Sequence, residues 1–257
     1  MFTFLCVIWF ISGLVVWFSG LDFTITQWLE DNHHPWVNAG WRLLGTLGLG
    51  RWQMLGCLLA AVYTLHWHLK TTRKNRRGLT PLAGIQAFLK MFCGALLIWL
   101  RVLIFTTTPV TGSGTYLQRC ARYVQQLPAR TRLWVMTLPI MFGAGAVCFV
   151  MKILIGRPRP KMFLWHDEIA AIGPSLSATY HSFPSGHTVT TFALLAVLHN
   201  RFPRWRPLLW LVAVLVSSAR FGAITPHFVG DVISGAALGF FVGTVLTYRY
   251  GLNSQRS

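Results

Sequence analysis

Acidic residues are scarce in this chain. Six Asp and Glu stand against 23 Lys and Arg over 257 residues, and the four charged types together make up only 11%. A soluble domain carries about 25%. So little charge, with 54% hydrophobic residues, excludes an ordinary water-soluble domain and points to a polytopic membrane protein. It also excludes nucleic acid as the reason for the net charge of +17, since a basic nucleic-acid-binding domain would not be this apolar. The excess cations are expected to serve as topology signals, as contacts to anionic lipid headgroups and as part of a site for an anionic substrate. Cysteine is sparse too. Cys6, Cys57, Cys93, Cys120 and Cys148 are odd in number and scattered, with no Cys-x-x-Cys pair, so neither a disulfide framework nor a zinc site is expected. No basic residue precedes the apolar run from Thr3 to Gly20, so it reads as a retained first span and not a secretory signal.

What the chain has in quantity is long apolar runs. About 20 apolar residues cross a bilayer as a helix. Six segments approach this length: 2–20, 46–66, 133–155, 187–200, 207–224 and 229–248. The expected fold is all-α, a polytopic membrane helical bundle of six transmembrane helices. Residues 91–107 are apolar except for Arg101 and have basic residues on both flanks. An Arg in mid-span costs roughly 2.5–3.5 kcal/mol, so this segment is expected to be an interfacial or re-entrant helix. It would lie in a basic cytoplasmic-side insertion over 69–131, touching anionic lipid. Residues 132–248 would form the motif-bearing core of a single membrane-embedded domain, 1–257.

The basic clusters set the orientation. Lys70, Arg73, Lys74, Arg76 and Arg77 follow the second segment, Arg201, Arg204 and Arg206 lie between the fourth and fifth, and Arg249 and Arg256 follow the sixth. Six crossings with both ends in the cytoplasm place all of these inside. The outer side then receives every acid: Asp22, Glu30, Asp31, Asp167, Glu168 and Asp231.

Three short stretches that border the apolar runs share that outer side. Lys152 and Arg159 are separated by a proline-broken segment that lets two cations converge from different directions. A guanidinium fork and an ammonium suit phosphate oxygens. Arg157 and Lys161 read as basic residues snorkelling at a span end. The stretch Ser182-Phe-Pro-Ser-Gly-His187 reads as a turn entering a helix. There Ser185 and the backbone at Gly186 would hold phosphate, and His187 would donate a proton to a leaving oxygen. Arg220 ends the fifth run, where a buried cation marks a candidate site. His227 and Asp231 are four apart at the start of the sixth run, a spacing that puts both on one face of a helix. The carboxylate would then fix the imidazole tautomer and free the other nitrogen to attack. Gly235, Gly239 and Gly243 continue that line as a small-residue stripe for a close helix neighbour.

At these residues the chain resembles the type 2 phosphatidic acid phosphatase (PAP2) superfamily, whose pattern is K-x6-R-P, then P-S-G-H, then S-R-x5-H-x3-D. Lys152, Arg159 and Pro160 match the first motif, Pro184 to His187 the second, and Arg220, His227 and Asp231 the third. Ala219 stands where the family usually has Ser, and six residues separate Arg220 from His227 where five are usual. Pro226 is expected to absorb the extra residue as a bulge. The resemblance covers roughly 132–248. It implies that His227 attacks phosphorus to form a phosphohistidine, Asp231 orients it, and His187 protonates the leaving group and then activates water. It assigns the phosphoryl oxygens to Lys152, Arg159, Ser185, Gly186 and Arg220, and implies neither metal nor cofactor.

The expected function is that of an integral membrane lipid phosphatase. It would act at the outer leaflet, with its site facing the periplasm or exterior of a bacterial inner membrane. Phosphatidate, phosphatidylglycerol phosphate, lipid A phosphate and polyprenyl pyrophosphate are all compatible substrates. Two alternatives stay open: transfer of the phosphoryl group to a lipid or glycan acceptor, and a non-catalytic lipid transporter or scaffold. Oligomeric state is not legible.

Overall fold

The computed structural model describes residues 2–75, 86, 89–90, 123–166, 172–224, 226–250 and 252. The expected helix at 91–107 and most of the 69–131 insertion lie outside them. Regular structure among the described residues is entirely helical. The long elements are α1 (Phe2–Phe18), α2 (Leu21–Asp31), α3 (Pro35–Leu47), α4 (Gly50–Asn75), α5 (Ala129–Ile155), α6 (Pro160–His166), α7 (Gly186–Arg201), α8 (Arg206–Gly222) and α9 (Val229–Arg249).

Each of the six apolar segments carries a helix. By length and composition, α9 and the stretch Ala129–His166 containing α5 can each cross a bilayer; the total reaches four if α1 with α2, and α3 with the first part of α4, each count as one bent span. The expected count of six is therefore not reached on these criteria. The shortfall lies in α7 and α8, which have 16 and 17 residues. Outward faces are apolar: Phe142, Phe149 and Leu154 on α5 and Leu208, Leu211 and Val212 on α8 are all exposed. In water such faces would be an aggregation hazard; in a bilayer they are the matched surface.

α9 is the central helix, and its glycines explain why. A Cβ on Gly235 would lie 2.9 Å from the carbonyl oxygen of Ser185, and one on Gly243 2.8 Å from Ala193 Cα; on Gly239 it would collide with the carbonyl of Val189. The expected stripe therefore exists, and the helix it admits is α7. On the opposite side α1 packs as closely, Gly13 lying against Ser234. Ala144 and Cys148 of α5 close the seam against Val189 and Ala193. Trp9, Trp210, Phe192 and Phe240 form an aromatic cluster between α1, α7, α8 and α9.

Three helices were not anticipated: α2, α3 and the short α6. Gly20, at φ 80°, bends the chain by 68° after α1 and starts α2. Pro35 occupies the first turn of α3, which packs on α8 with Trp41 against Gly222. Of these short helices, α2 brings Asp22 into buried polar contact with Arg157 and Gly230.

Candidate active site

The first motif begins in the last turn of α5. Gly156 takes a left-handed conformation, φ 56°, and its N–H donates to the Lys152 carbonyl, ending the helix. The chain then runs through Arg157, Pro158 and Arg159 before α6. Lys152 Nζ donates to the carbonyl oxygens of His181 (2.6 Å) and Ser182 (3.4 Å), which ties the end of α5 to the second motif. Arg159 uses Nε to hold the Ala178 carbonyl at 3.1 Å; no described bond occupies its terminal amines.

The second motif enters α7 as expected, with Ser185 in extended conformation before the first helical residue, Gly186. The Ser185 N–H donates to the Asp231 carbonyl at 3.0 Å, and its hydroxyl accepts from Thr188 at 3.0 Å. The following first-turn amides of α7 have no intrahelical acceptor. Lys152 Cε lies 3.6 Å from where a Cβ on Gly186 would stand, so the first two motifs are in contact. His187 follows in the same turn, and the charges of Arg220, Lys152, Arg159 and Arg51 all act on it. Arg51, at the start of α4, was not singled out in the sequence.

Arg220 sits in the last turn of α8, beside Gly45 of α3. Its Nε is buried and has no partner among the described residues. A buried charged donor without a partner is costly, and a phosphate oxygen is the kind of group that satisfies it. The chain between Arg220 and His227 turns at Ile224, a β-branched residue held at φ 69°. The backbone irregularity in this segment thus falls at Ile224, ahead of Pro226.

The third motif departs from expectation in two ways. α9 begins at Val229, so His227 precedes the helix and shares no helical face with Asp231. His227 Nδ1 lies 3.7 Å from Asp231 Oδ2, beyond a hydrogen bond. Its partner is the Ser182 carbonyl, at 2.8 Å. A carbonyl only accepts, so Nδ1 carries the hydrogen and the neutral ring keeps its lone pair on Nε2. No described hydrogen bond occupies Nε2. Asp231 instead accepts from Ser182 Oγ, from the Phe228 N–H at 3.0 Å and from Arg157 Nη1 at 2.6 Å.

Arg157 is the second correction. It does not snorkel at the membrane edge; it is 1% exposed and spans from Asp231 to Asp22. Its neighbour in sequence gave no sign of this, because the partner that decides the matter comes from α2.

The sequence-predicted residues are therefore gathered. Lys152 and His227 share the Ser182 carbonyl, Gly186 lies on Lys152, and Arg159 and Lys152 both act on His227 by charge. Burial pushes the His227 imidazole far below its ordinary value, to about 3, so the ring stays neutral over the physiological range. An unfolded chain protonates that ring below about pH 6.5, whereas the folded protein does not. The unfolded state then binds the extra proton, and His227 contributes a loss of stability as pH falls from about 6.5 towards 3, at about 1.4 kcal/mol per pH unit. Melting temperatures in detergent should fall across that window, and His227→Gln should flatten the fall by one proton's worth.

A helical bundle with apolar outer faces, holding two imidazoles among Lys152, Arg159 and Arg220, is the arrangement of a membrane-type helical protein. Residues 133–255 match the sequence model of the PAP2 superfamily. Curated relatives include a lipid A 1-phosphatase of Rhizobium etli, 34% identical over 42% of this chain and 48% of that protein. A decaprenylphosphoryl-5-phosphoribose phosphatase of Mycobacterium tuberculosis is 30% identical over 47% of this chain and 63% of that protein. The matches thus span about half to three-fifths of these relatives' length. Among solved structures, a transmembrane PAP2 type phosphatidylglycerolphosphate phosphatase from Bacillus subtilis superposes with a TM-score of 0.52 at 17% identity, covering 98% of each chain. The shared architecture is that of a transmembrane helical bundle.

Proposed function

We propose that this protein is an integral membrane phosphatase that removes a phosphoryl group from a lipid phosphate, with His227 as nucleophile. The observation that carries this reading is the bonding of His227: Nδ1–H is fixed on the Ser182 carbonyl, which also receives Lys152 Nζ, while Nε2 is left open. A neutral imidazole held this way, beside ammonium and guanidinium groups, is an activated nucleophile next to an anion clamp.

In the first step Nε2 of His227 forms a bond to phosphorus and the bond from phosphorus to the lipid oxygen breaks. His187, carrying a proton once the bound phosphoryl group offsets the surrounding cations, gives it to that oxygen as it leaves. Lys152, Arg159 and Arg220 hold the charge on the phosphoryl oxygens, with the α7 amides near Gly186 and the Ser185 hydroxyl. In the second step His187, now neutral, takes a proton from water; the water oxygen bonds to phosphorus, the P–N bond breaks and phosphate departs. Asp231 contributes by ordering the turn that holds the nucleophile. The two buried carboxylates, Asp22 and Asp231, are engaged by Arg157, so phosphate release should stay within about twofold of normal in EDTA, a metal-bridged route being the case that a chelator would abolish.

The names of the lipid A and decaprenylphosphoryl-5-phosphoribose phosphatase relatives are the reason to try lipid-linked phosphates first in the substrate panel. The deciding experiment is phosphate release by the purified protein across lipid monophosphates and diphosphates. Release from at least one, raised no further by an added lipid or glycan acceptor, supports hydrolysis. No release from any would remove the proposal, and phosphoryl transfer only when an acceptor is present would reassign it as a phosphotransferase.

The basic clusters favour six crossings, both termini in the cytoplasm and the site at the periplasmic or outer face of the inner membrane. A reporter fused after Ser257 should read cytoplasmic and one inserted between Gly173 and Pro174 external; the reverse pair of signals would invert the scheme.

A further inference from the structure

Asp22 lies outside all three motifs, on α2, 135 positions from Arg157. It is nevertheless fully buried, as is Asp231, and Arg157 is 1% exposed. The guanidinium is held from every direction. Nη1 donates to Asp231 Oδ1 at 2.6 Å and Nη2 to Asp22 Oδ2 at 2.9 Å. The rings of Trp17 and Phe228 lie 4.1 and 4.2 Å from Cζ. The second oxygen of Asp22 accepts the Gly230 N–H at 2.8 Å. Gly230 leaves room for this: a Cβ there would stand 2.7 Å from Asp22 Oδ2 and from the Gly13 carbonyl. The turn after α1, with Gly20 in its left-handed conformation, delivers Asp22 to this point.

Beyond Arg157, every partner of Asp231 bears on the nucleophile. Its carboxylate holds the Ser182 hydroxyl and the N–H of Phe228, the residue after His227, and its carbonyl holds the Ser185 N–H. The Ser182 carbonyl, in turn, holds His227 Nδ1. Three buried charges are a poor device for stability alone, since well-packed apolar residues commonly do as well or better. Fixing the direction of one carboxylate is what a two-pronged guanidinium does well.

We infer that Asp22 and Arg157 are positioning residues for the His227 nucleophile, acting through Asp231 and Ser182 without touching substrate. The N-terminal pair α1–α2 is thereby part of the reaction centre. The inference rests on His227 being the nucleophile of the proposed reaction.

The test uses the purified full chain as wild type, Asp22→Ala, and the double variant Asp22→Asn/Arg157→Met. The double variant keeps an acceptor for Gly230 and leaves the same net charge, −1, that the three native groups carry. Three quantities are read: melting temperature, kcat and KM for a lipid phosphate, and the 15N imidazole signals of His227, assigned by their loss in His227→Gln. Misplacement of a reacting group by about 1 Å costs on the order of 100-fold in rate. The expected result is a kcat lowered by roughly that factor in both variants, with KM within about twofold and the His227 signals shifted from the Nδ1–H form. The double variant should recover the melting temperature and not the rate. Recovery of both together, or unchanged kcat and unchanged His227 signals in Asp22→Ala, would overturn the inference. Should Asp22→Ala fail to fold, the double variant decides by the same readings. If wild type releases phosphate from no lipid, the proposed function falls. The imidazole signals alone then decide positioning: a shift in the folded variants upholds it and no shift overturns it.

Discussion

Replacing His227 by Ala should lower phosphate release by about 10⁴-fold or more while the protein still inserts into membranes. Removal of a covalent nucleophile ordinarily costs that much, because the remaining clamp can bind the substrate and stabilise charge but cannot open the two-step route. The imidazole is small and 3% exposed, and its one described hydrogen bond is to a backbone carbonyl. Its loss therefore leaves a modest void and one acceptor that Lys152 still reaches. Labelled phosphate that stays on the wild-type protein after acid-sensitive trapping should be absent from the variant. A variant that released phosphate at the wild-type rate would pass the nucleophile's role to another residue.

The second large effect is structural. Gly239→Val should destabilise the protein by about 3 kcal/mol and abolish activity with it. The added Cβ meets the Val189 carbonyl and lies 2.8 Å from Val189 Cα, so the obstacle is backbone and cannot turn aside. α7 and α9 must separate there, and that seam continues directly to the Ser185–Gly235 contact beneath the second motif. The check is a melting temperature in detergent alongside phosphate release. A variant as stable and active as wild type would mean that the seam has more slack than these distances allow.

The sequence disclosed those parts of the site whose geometry is local. Lys152 and Arg159 flank a proline-broken helix end, and Pro184 to His187 form a turn into a helix; both patterns are set within ten residues. The α9 glycine stripe was equally legible because its period is that of one helix. Reading failed where a distant partner decides. A basic residue near a span end looks the same whether it snorkels or is buried, and for Arg157 the difference is made by Asp22 and Trp17 from the N-terminal helices. The i,i+4 spacing of His227 and Asp231 implied a shared helical face, but Phe228 is the N-cap of α9, so the rule had no helix to act on. The carboxylate took the common role of a residue in a first helical turn, accepting a backbone N–H near the cap. The short helices α2 and α3 escaped notice because neither is apolar enough to stand out, although Gly20 and Pro35 mark their starts.

Sequestering Asp22 and Asp231 also changes what a membrane sees of this protein. With two of its six acids withdrawn from the interface, at most four remain to offset the cations. Anionic amphiphiles should therefore accumulate around it as a counterion-like annulus, and added electrolyte should thin that local reservoir before it affects the chemical step.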